Sequence, residues 1–394
     1  MYQSVLAAEK IGSSKSVNVL VQLGRMERTL AKILRPSDVL TDTGDTWTGV
    51  RRYYVTKNTG NSRENLSSPV IKDLGFQNMA DPKVLYEFIT WGMENYPAKK
   101  FMLILGGHSF EYLGTLTDYS QNLPYIMGIP EMCKALSLVQ KTKGIGIDLL
   151  VLDTCYMNMV EILYELAKEK SHTVKNVLTY IEYGPIAGLP LDKLISIVEK
   201  NHNLVDLNLL VKNIIEGINL DLVAFNINYK KLEKIKRTAN DLAQLLLKTE
   251  QRSTINLSQL LEINDGSDPL LSYVKDLKKS LLSLIIYSQR ITNFKSNLID
   301  IAHKTTGNKL AVCYLKLGFA NNNHWPKLLG KLFWEESRTL EEGRQLKPTI
   351  LPFQALVTLI SIMNPNAEQE QLEKIVRRLL EYKKWEQHTN FKLR

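Results

Sequence analysis

Two residues suited to acyl transfer each stand just past a short apolar run. His108 follows Phe101–Leu105 (FMLIL) and the pair Gly106-Gly107. Cys155 follows Ile147–Leu152 (IDLLVL) and Asp153-Thr154, and it precedes a helical pattern over Met157–Lys168. Short β-branched and apolar runs of this length read as buried strands. In a parallel sheet the C-terminal strand ends share one edge, where open α/β sheets bind ligands. Both residues then arrive on that edge. A cysteine beside a histidine is the minimum machinery for acyl transfer by a thiolate. His108 would take the thiol proton and return it to the leaving amine. A helix opening just after Cys155 would favour the thiolate through its positive end. It would also present backbone N–H groups to a developing oxyanion. Asp153, two residues before the cysteine, could meet an arginine in a bidentate, charge-assisted contact, which predicts cleavage after Arg or Lys.

Each of these residues also has a plainer reading. A free cysteine at a strand end is usually an inert, buried small hydrophobe. A histidine there is often a hydrogen-bonded structural residue. Asp153 could simply cap the helix that follows, since aspartate is a favoured cap. Spacing alone does not choose between these readings. Cys133 and Cys313 fall inside apolar periodic segments and read as core. The other histidines (His172, His202, His303, His324 and His388) show no metal-ligand spacing, so no metal is expected from the residues themselves.

The surrounding elements must position the pair. Val17–Leu23 and Arg51–Thr56 read as two further strands. Asp81-Pro82 opens a helix with an apolar face of Val84, Leu85, Phe88, Ile89 and Trp91, ending near Tyr96-Pro97. A helix is expected over Ile129–Gln140, followed by a Lys/Gly turn, and Asn176–Tyr180 reads as another strand. This alternation predicts an α/β fold with a largely parallel sheet and helices on both faces. From about Leu204 the pattern becomes long Leu/Ile/Lys-rich helices. The expected division is a core over 14–200 and a mostly helical region over 201–394. One run, 309–317, is placed as a strand returning to the core sheet.

The bulk numbers fit one large domain or two ordinary ones. The 394 residues are 44% hydrophobic, enough to bury a sizeable core. Three scattered cysteines cannot form a disulfide framework, and with no visible export signal they point to a reduced, cytoplasmic setting. No apolar run approaches the length of a membrane span. The net charge of +9 is spread along the chain and mixed with acidic residues, so no nucleic-acid partner is expected. The segment Gln371–Trp385 carries an apolar stripe of Leu372, Ile375, Val376, Leu379 and Leu380, with Arg377 and Arg378 outside it. Such a stripe packs on its own domain or docks on a regulatory protein partner.

Several motifs resemble the clostripain family of cysteine peptidases. Asp153–Leu166 (DTCYMNMVEILYEL) resembles that family's nucleophile block. Asn78–Tyr96 (NMADPKVLYEFITWGMENY), followed by KKFMLIL and GGHS, resembles its helix, strand and histidine motif. Glu182 and Gly188-Leu189-Pro190-Leu191 resemble a degraded form of a later family segment. The likeness spans roughly residues 17–250 and is strongest over 78–166.

The resemblance implies a caspase–haemoglobinase type fold, a catalytic Cys155/His108 dyad and cleavage of protein or peptide substrates after basic residues. Asp153 and Glu182 would then be substrate-binding, and the backbone N–H of Ser109 would face the oxyanion. It also implies activation by cleavage, with Lys141-Thr142-Lys143-Gly144 as a candidate site, or by a partner. Calcium enters only through the resemblance, since no acidic cluster calls for it. The chain departs from the family at Gly107-His108-Ser109, where Asp-His-Gly is usual, and at Leu189-Pro190-Leu191, where Trp-Pro-Tyr is usual. These departures motivate a second reading, a catalytically silent homologue that binds or regulates.

Overall fold

The structure, a computed structural model, describes residues 2–36, 46–58, 65–110, 113–168, 172–181, 183–248, 269–289, 317–328, 348–351, 353–364 and 366–384. It opens with helix α1 (Tyr2–Glu9), strand β1 (Leu20–Arg25), helix α2 (Arg28–Leu34) and strands β2 (Gly49–Tyr54) and β3 (Val70–Gly75). These three strands form a small antiparallel sheet in the order β1-β2-β3. The two strands expected at Val17–Leu23 and Arg51–Thr56 therefore pair with each other rather than extending a parallel core. Helix α3 (Pro82–Asn95) begins as its sequence dictates: the Asp81 side chain accepts from the Lys83 N–H at 2.8 Å, and Pro82 occupies the first turn.

The site-bearing stretch follows: β4 (Met102–Gly106), β5 (Ser109–Phe110), β6 (Gly114–Asp118), β7 (Tyr125–Gly128), α4 (Ile129–Lys143), β8 (Ile147–Asp153), α5 (Val160–Ala167) and β9 (Val174–Tyr180). Beyond it lie α6 (Leu191–Lys200), α7 (Leu207–Ile218), β10 (Leu222–Asn226), α8 (Tyr229–Lys248), α9 (Pro269–Leu282), β11 (Ile285–Ser288), β12 (Thr349–Ile350), α10 (Phe353–Met363) and α11 (Gln369–Lys383). The central sheet has the order β11-β10-β9-β8-β4. Its β4-β8 and β8-β9 ladders are parallel, and β10 and β11 join antiparallel. Two strands from beyond residue 200 thus complete the sheet, so the division at 200 cuts through it. The segment 309–317 lies outside the described residues except for Leu317.

Alternation along the strands explains why both faces are covered. Leu150, Leu152, Val177, Val223 and Phe225 face one core, shared with α3, α4, α5 and α8. Leu149, Val151, Leu178 and Ala224 face the other, closed by Leu194 of α6 and Leu210, Val211 and Ile214 of α7. The arrangement is a mixed α/β, caspase-like three-layer fold. A further antiparallel sheet, β12-β7-β6-β5, carries the chain leaving His108. Its Phe110 packs into a separate core with Leu30, Leu34, Leu356, Ile375, Val376, Leu379 and Leu380. The apolar stripe of α11 is therefore spent on its own fold.

Candidate active site

The register of β4 against β8 sets the site. Gly106 lies opposite Asp153 at the ends of the two parallel strands. His108 stands two residues past Gly106, and Cys155 two residues past Asp153. Neighbouring strands run about 4.8 Å apart, so both residues emerge side by side on one sheet edge. Two further bonds tie the strand ends. The Gly107 N–H donates to the Asp153 carbonyl at 3.3 Å, and the Ser109 hydroxyl donates to the Cys155 carbonyl.

Cys155 is half-buried, and burial is the main cause that pushes its thiol pKa up. The negative field of Asp153 acts in the same direction, while the Gly184 backbone N–H opposes both by supporting the thiolate. His108 is pushed down, first by burial and then by the charge of Arg35, so its neutral, proton-accepting form is favoured. Both shifts favour the uncharged forms, a thiol at Cys155 and a neutral imidazole at His108.

Two expectations change here. Helix α5 starts at Val160, not at Met157. Cys155 sits in the connecting turn, where Tyr156 adopts the left-handed region at φ 54°. Because the dipole effect fades within the first turn, α5 contributes little to the thiolate, and the Gly184 N–H takes that role. Asp153 is not a cap either. It is 6% exposed and bonded sideways: Tyr180 donates its hydroxyl to Oδ1 at 2.6 Å, and the Leu189 N–H lies 3.1 Å and 3.0 Å from the two oxygens. Burial raises the Asp153 carboxyl, and those two donors partly offset it.

The residues that sequence reasoning missed are Gly184, Tyr180 and the Leu189 backbone. Gly184 lies flat on the Tyr180 ring, with its would-be Cβ only 2.2 Å from ring carbon Cε2. The dipeptide Gly184-Pro185, a turn signal beside the segment already singled out, was the available hint. Glu182 lies outside the described residues. Lys141 to Lys143 form the last turn of α4, with Lys143 paired to Glu94 and Gly144 closing the helix at φ 68°. Cleavage there would first require that turn to unwind. Among the described residues, no group of three or more His, Cys, Asp or Glu gathers to hold a metal. No helix among them is long and apolar enough to cross a membrane.

Fold and strand-end geometry define an α/β protein presenting a cysteine and a histidine together on one sheet edge. The sequence model of the clostripain family matches residues 7–323, and the chain belongs to that family. It is by class a cysteine peptidase, a hydrolase of peptide bonds.

Solved structures with a similar fold include a secreted C11 cysteine protease from Bacteroides thetaiotaomicron in complex with an irreversible peptide inhibitor. That protein is 15% identical, with 73% of this chain and 78% of that chain covered and a TM-score of 0.48. An inactive zymogen C11 protease from Parabacteroides distasonis is also 15% identical, with 72% and 76% covered and a TM-score of 0.48. No curated protein sequence matches. The expected cytoplasmic location is not kept: two of the similar solved structures are of C11 cysteine proteases from Bacteroides thetaiotaomicron described as secreted. The inference from cysteine count fails on physical grounds: a fold with cores of this size does not need disulfides to be stable outside the cell.

Proposed function

We propose that the chain is a cysteine endopeptidase in which Cys155 is the nucleophile and His108 the general base, acting after Arg or Lys. The observation that carries this reading is the register of Gly106 opposite Asp153, which brings the two strand ends together. His108 takes the thiol proton, and Sγ attacks the scissile carbonyl carbon. The tetrahedral oxyanion faces backbone N–H groups, that of Ser109 among them. Collapse expels the amine, which receives the proton from His108, and water then hydrolyses the thioester by the same route. Asp153 reads the basic side chain. Within the fold the Leu189 N–H lies on its carboxylate, so a guanidinium or ammonium has to replace that donor. Cleavage or a protein partner that draws Leu189 away from Asp153 while leaving Gly184 in place would activate such a resting site.

The test uses fluorogenic peptides with Arg, Lys, Leu or Glu at the cleaved position. Cys155→Ala and His108→Ala are expected to bring turnover of the Arg and Lys substrates below detection. Turnover that survives Cys155→Ala removes the assignment. A second reading, a silent regulatory homologue, is favoured by one observation: Asp153 already holds three hydrogen-bond contacts, most of what a carboxylate accepts. Labelling of Cys155 by an arginyl, cysteine-reactive probe decides against it.

A further inference from the structure

We infer that the Ser109 side chain is a positioning residue for the nucleophile: its hydroxyl holds the Cys155–Tyr156 peptide in place beside the end of the His108 strand. The inference rests on the cysteine-peptidase reading above and concerns a different group from the Ser109 N–H. Ser109 is 6% exposed, and its hydroxyl donates to the carbonyl oxygen of Cys155, 46 positions away in sequence. A buried hydroxyl needs a partner, and this one has taken the backbone of the nucleophile itself.

That carbonyl belongs to a peptide plane under strain. The next residue, Tyr156, sits at φ 54°, a region that aromatic residues rarely enter. Because the peptide is planar, fixing the Cys155 carbonyl also fixes the direction of the Tyr156 N–H and limits how the turn can relax. The far end of the clamp is equally fixed. Ser109 pairs with Thr115 across β5 and β6, and Phe110 is buried in the core closed by α10 and α11. Together with Gly106 opposite Asp153 and the Gly107 N–H on the Asp153 carbonyl, the Ser109 bond makes the third consecutive stitch between the two strand ends. The pattern that the chain resembles carries glycine at this position and has no side chain to make such a bond. Strain held at a nucleophile by a surrounding bond is a recurrent way to preorganise a site.

The experiment compares the full chain with Ser109→Ala, Ser109→Gly, Tyr156→Asn, the Ser109→Ala/Tyr156→Asn double variant and Cys155→Ala. Asparagine tolerates the left-handed region, so it removes the strain that the clamp opposes. Readouts are kcat and KM on the Arg and Lys peptides, and the rate of Cys155 alkylation by iodoacetamide across pH. Both Ser109 variants are expected to lower kcat about tenfold with KM within about twofold, since only geometry at the reacting group is lost. Their alkylation rate at pH 7 should fall about threefold, because a turn released from Ser109 no longer holds the thiol in one position. In the Tyr156→Asn background the loss caused by Ser109→Ala should shrink to threefold or less, the sign of coupling through one peptide. Wild-type kcat and alkylation in both Ser109 variants, with Cys155→Ala inactive, overturn the clamp and leave the dyad standing. An equal loss in both backgrounds also overturns it, since that marks a merely structural role. Activity in Cys155→Ala overturns both.

Discussion

Replacing Gly184 with alanine tests the site at its tightest point. A Cβ there would lie 2.2 Å from Tyr180 Cε2, 2.4 Å from Cζ and 2.8 Å from Cδ2. Carbon atoms in contact need about 3.5 Å, so ring and backbone must part by about 1 Å. The ring is poorly placed to yield: Tyr180 is 2% exposed, and its hydroxyl is held by Asp153 at 2.6 Å. The Gly184 backbone is therefore expected to move, and with it the N–H that favours the Cys155 thiolate. A misplacement of about 1 Å at a reacting group costs on the order of a hundredfold in rate. The thiol, already raised by burial, loses the one backbone donor that lowers it. Its alkylation by iodoacetamide should then begin at higher pH than in the parent chain. Each unit of upward shift removes about nine-tenths of the thiolate at a fixed pH below the pKa. The assay is kcat/KM on basic peptides beside the pH profile of alkylation. A Gly184→Ala variant with parental values for both refutes the reasoning. A variant whose alkylation profile stays put while kcat/KM falls places Gly184 in substrate binding rather than thiol support.

Two more predictions follow from the surroundings. Burial holds the Asp153 carboxyl above its usual 3.8 in the folded chain. A raised folded value means that the fold favours the protonated form, so stability from this group is full below 3.8 and declines as pH rises through the folded value. Asp153→Asn should abolish that decline, so the difference in denaturation midpoint between variant and parent should change in the variant's favour across that window; parallel midpoint curves would contradict the burial argument. Leu379→Ala in α11, at a fully buried position, should cost about 2–5 kcal/mol in denaturant unfolding. It should also lower turnover, because the same core holds Phe110 next to the His108 loop.

The parts of this site legible in the sequence are those that depend on one short segment. FMLIL and IDLLVL could hardly be anything but buried strands, and they place His108 and Cys155 at matching ends. The Asp81-Pro82 start of α3 follows equally from local capping chemistry. What stayed hidden depends on distant partners. Leu222–Asn226 is a strand because it pairs with β9, yet it sits between two long helical patterns that mask its period. Ile285–Ser288 continues the apolar run of α9 and becomes a strand only through β10. Tyr156–Met159 shares the apolar character of α5, so the sequence reads as helix from Met157, and nothing local reveals the left-handed turn at Tyr156. The roles of Gly184 and Leu189 reside in their backbone N–H groups, which carry no side-chain signature at all.

Burial is the leading cause of the shifts at Cys155, His108 and Asp153, and it moves each of them toward its neutral form. A preformed thiolate–imidazolium pair would need the opposite shifts. In the proposed mechanism, backbone donors placed around Cys155 and Asp153 would have to offset these shifts. The backbone donors that favour the charged forms of Cys155 and Asp153 come largely from one segment: Gly184 lowers the thiol, and the Leu189 N–H lies on the carboxylate. That segment is anchored in turn: the Ser4 hydroxyl of α1 donates to the Ala187 carbonyl at 3.0 Å. A single stretch, 183–189, thus couples the state of the nucleophile to the state of the carboxylate proposed to read the substrate. If a basic side chain takes the place of Leu189 on Asp153 as proposed, substitutions in 183–189 should change KM for basic peptides and the alkylation rate of Cys155 together.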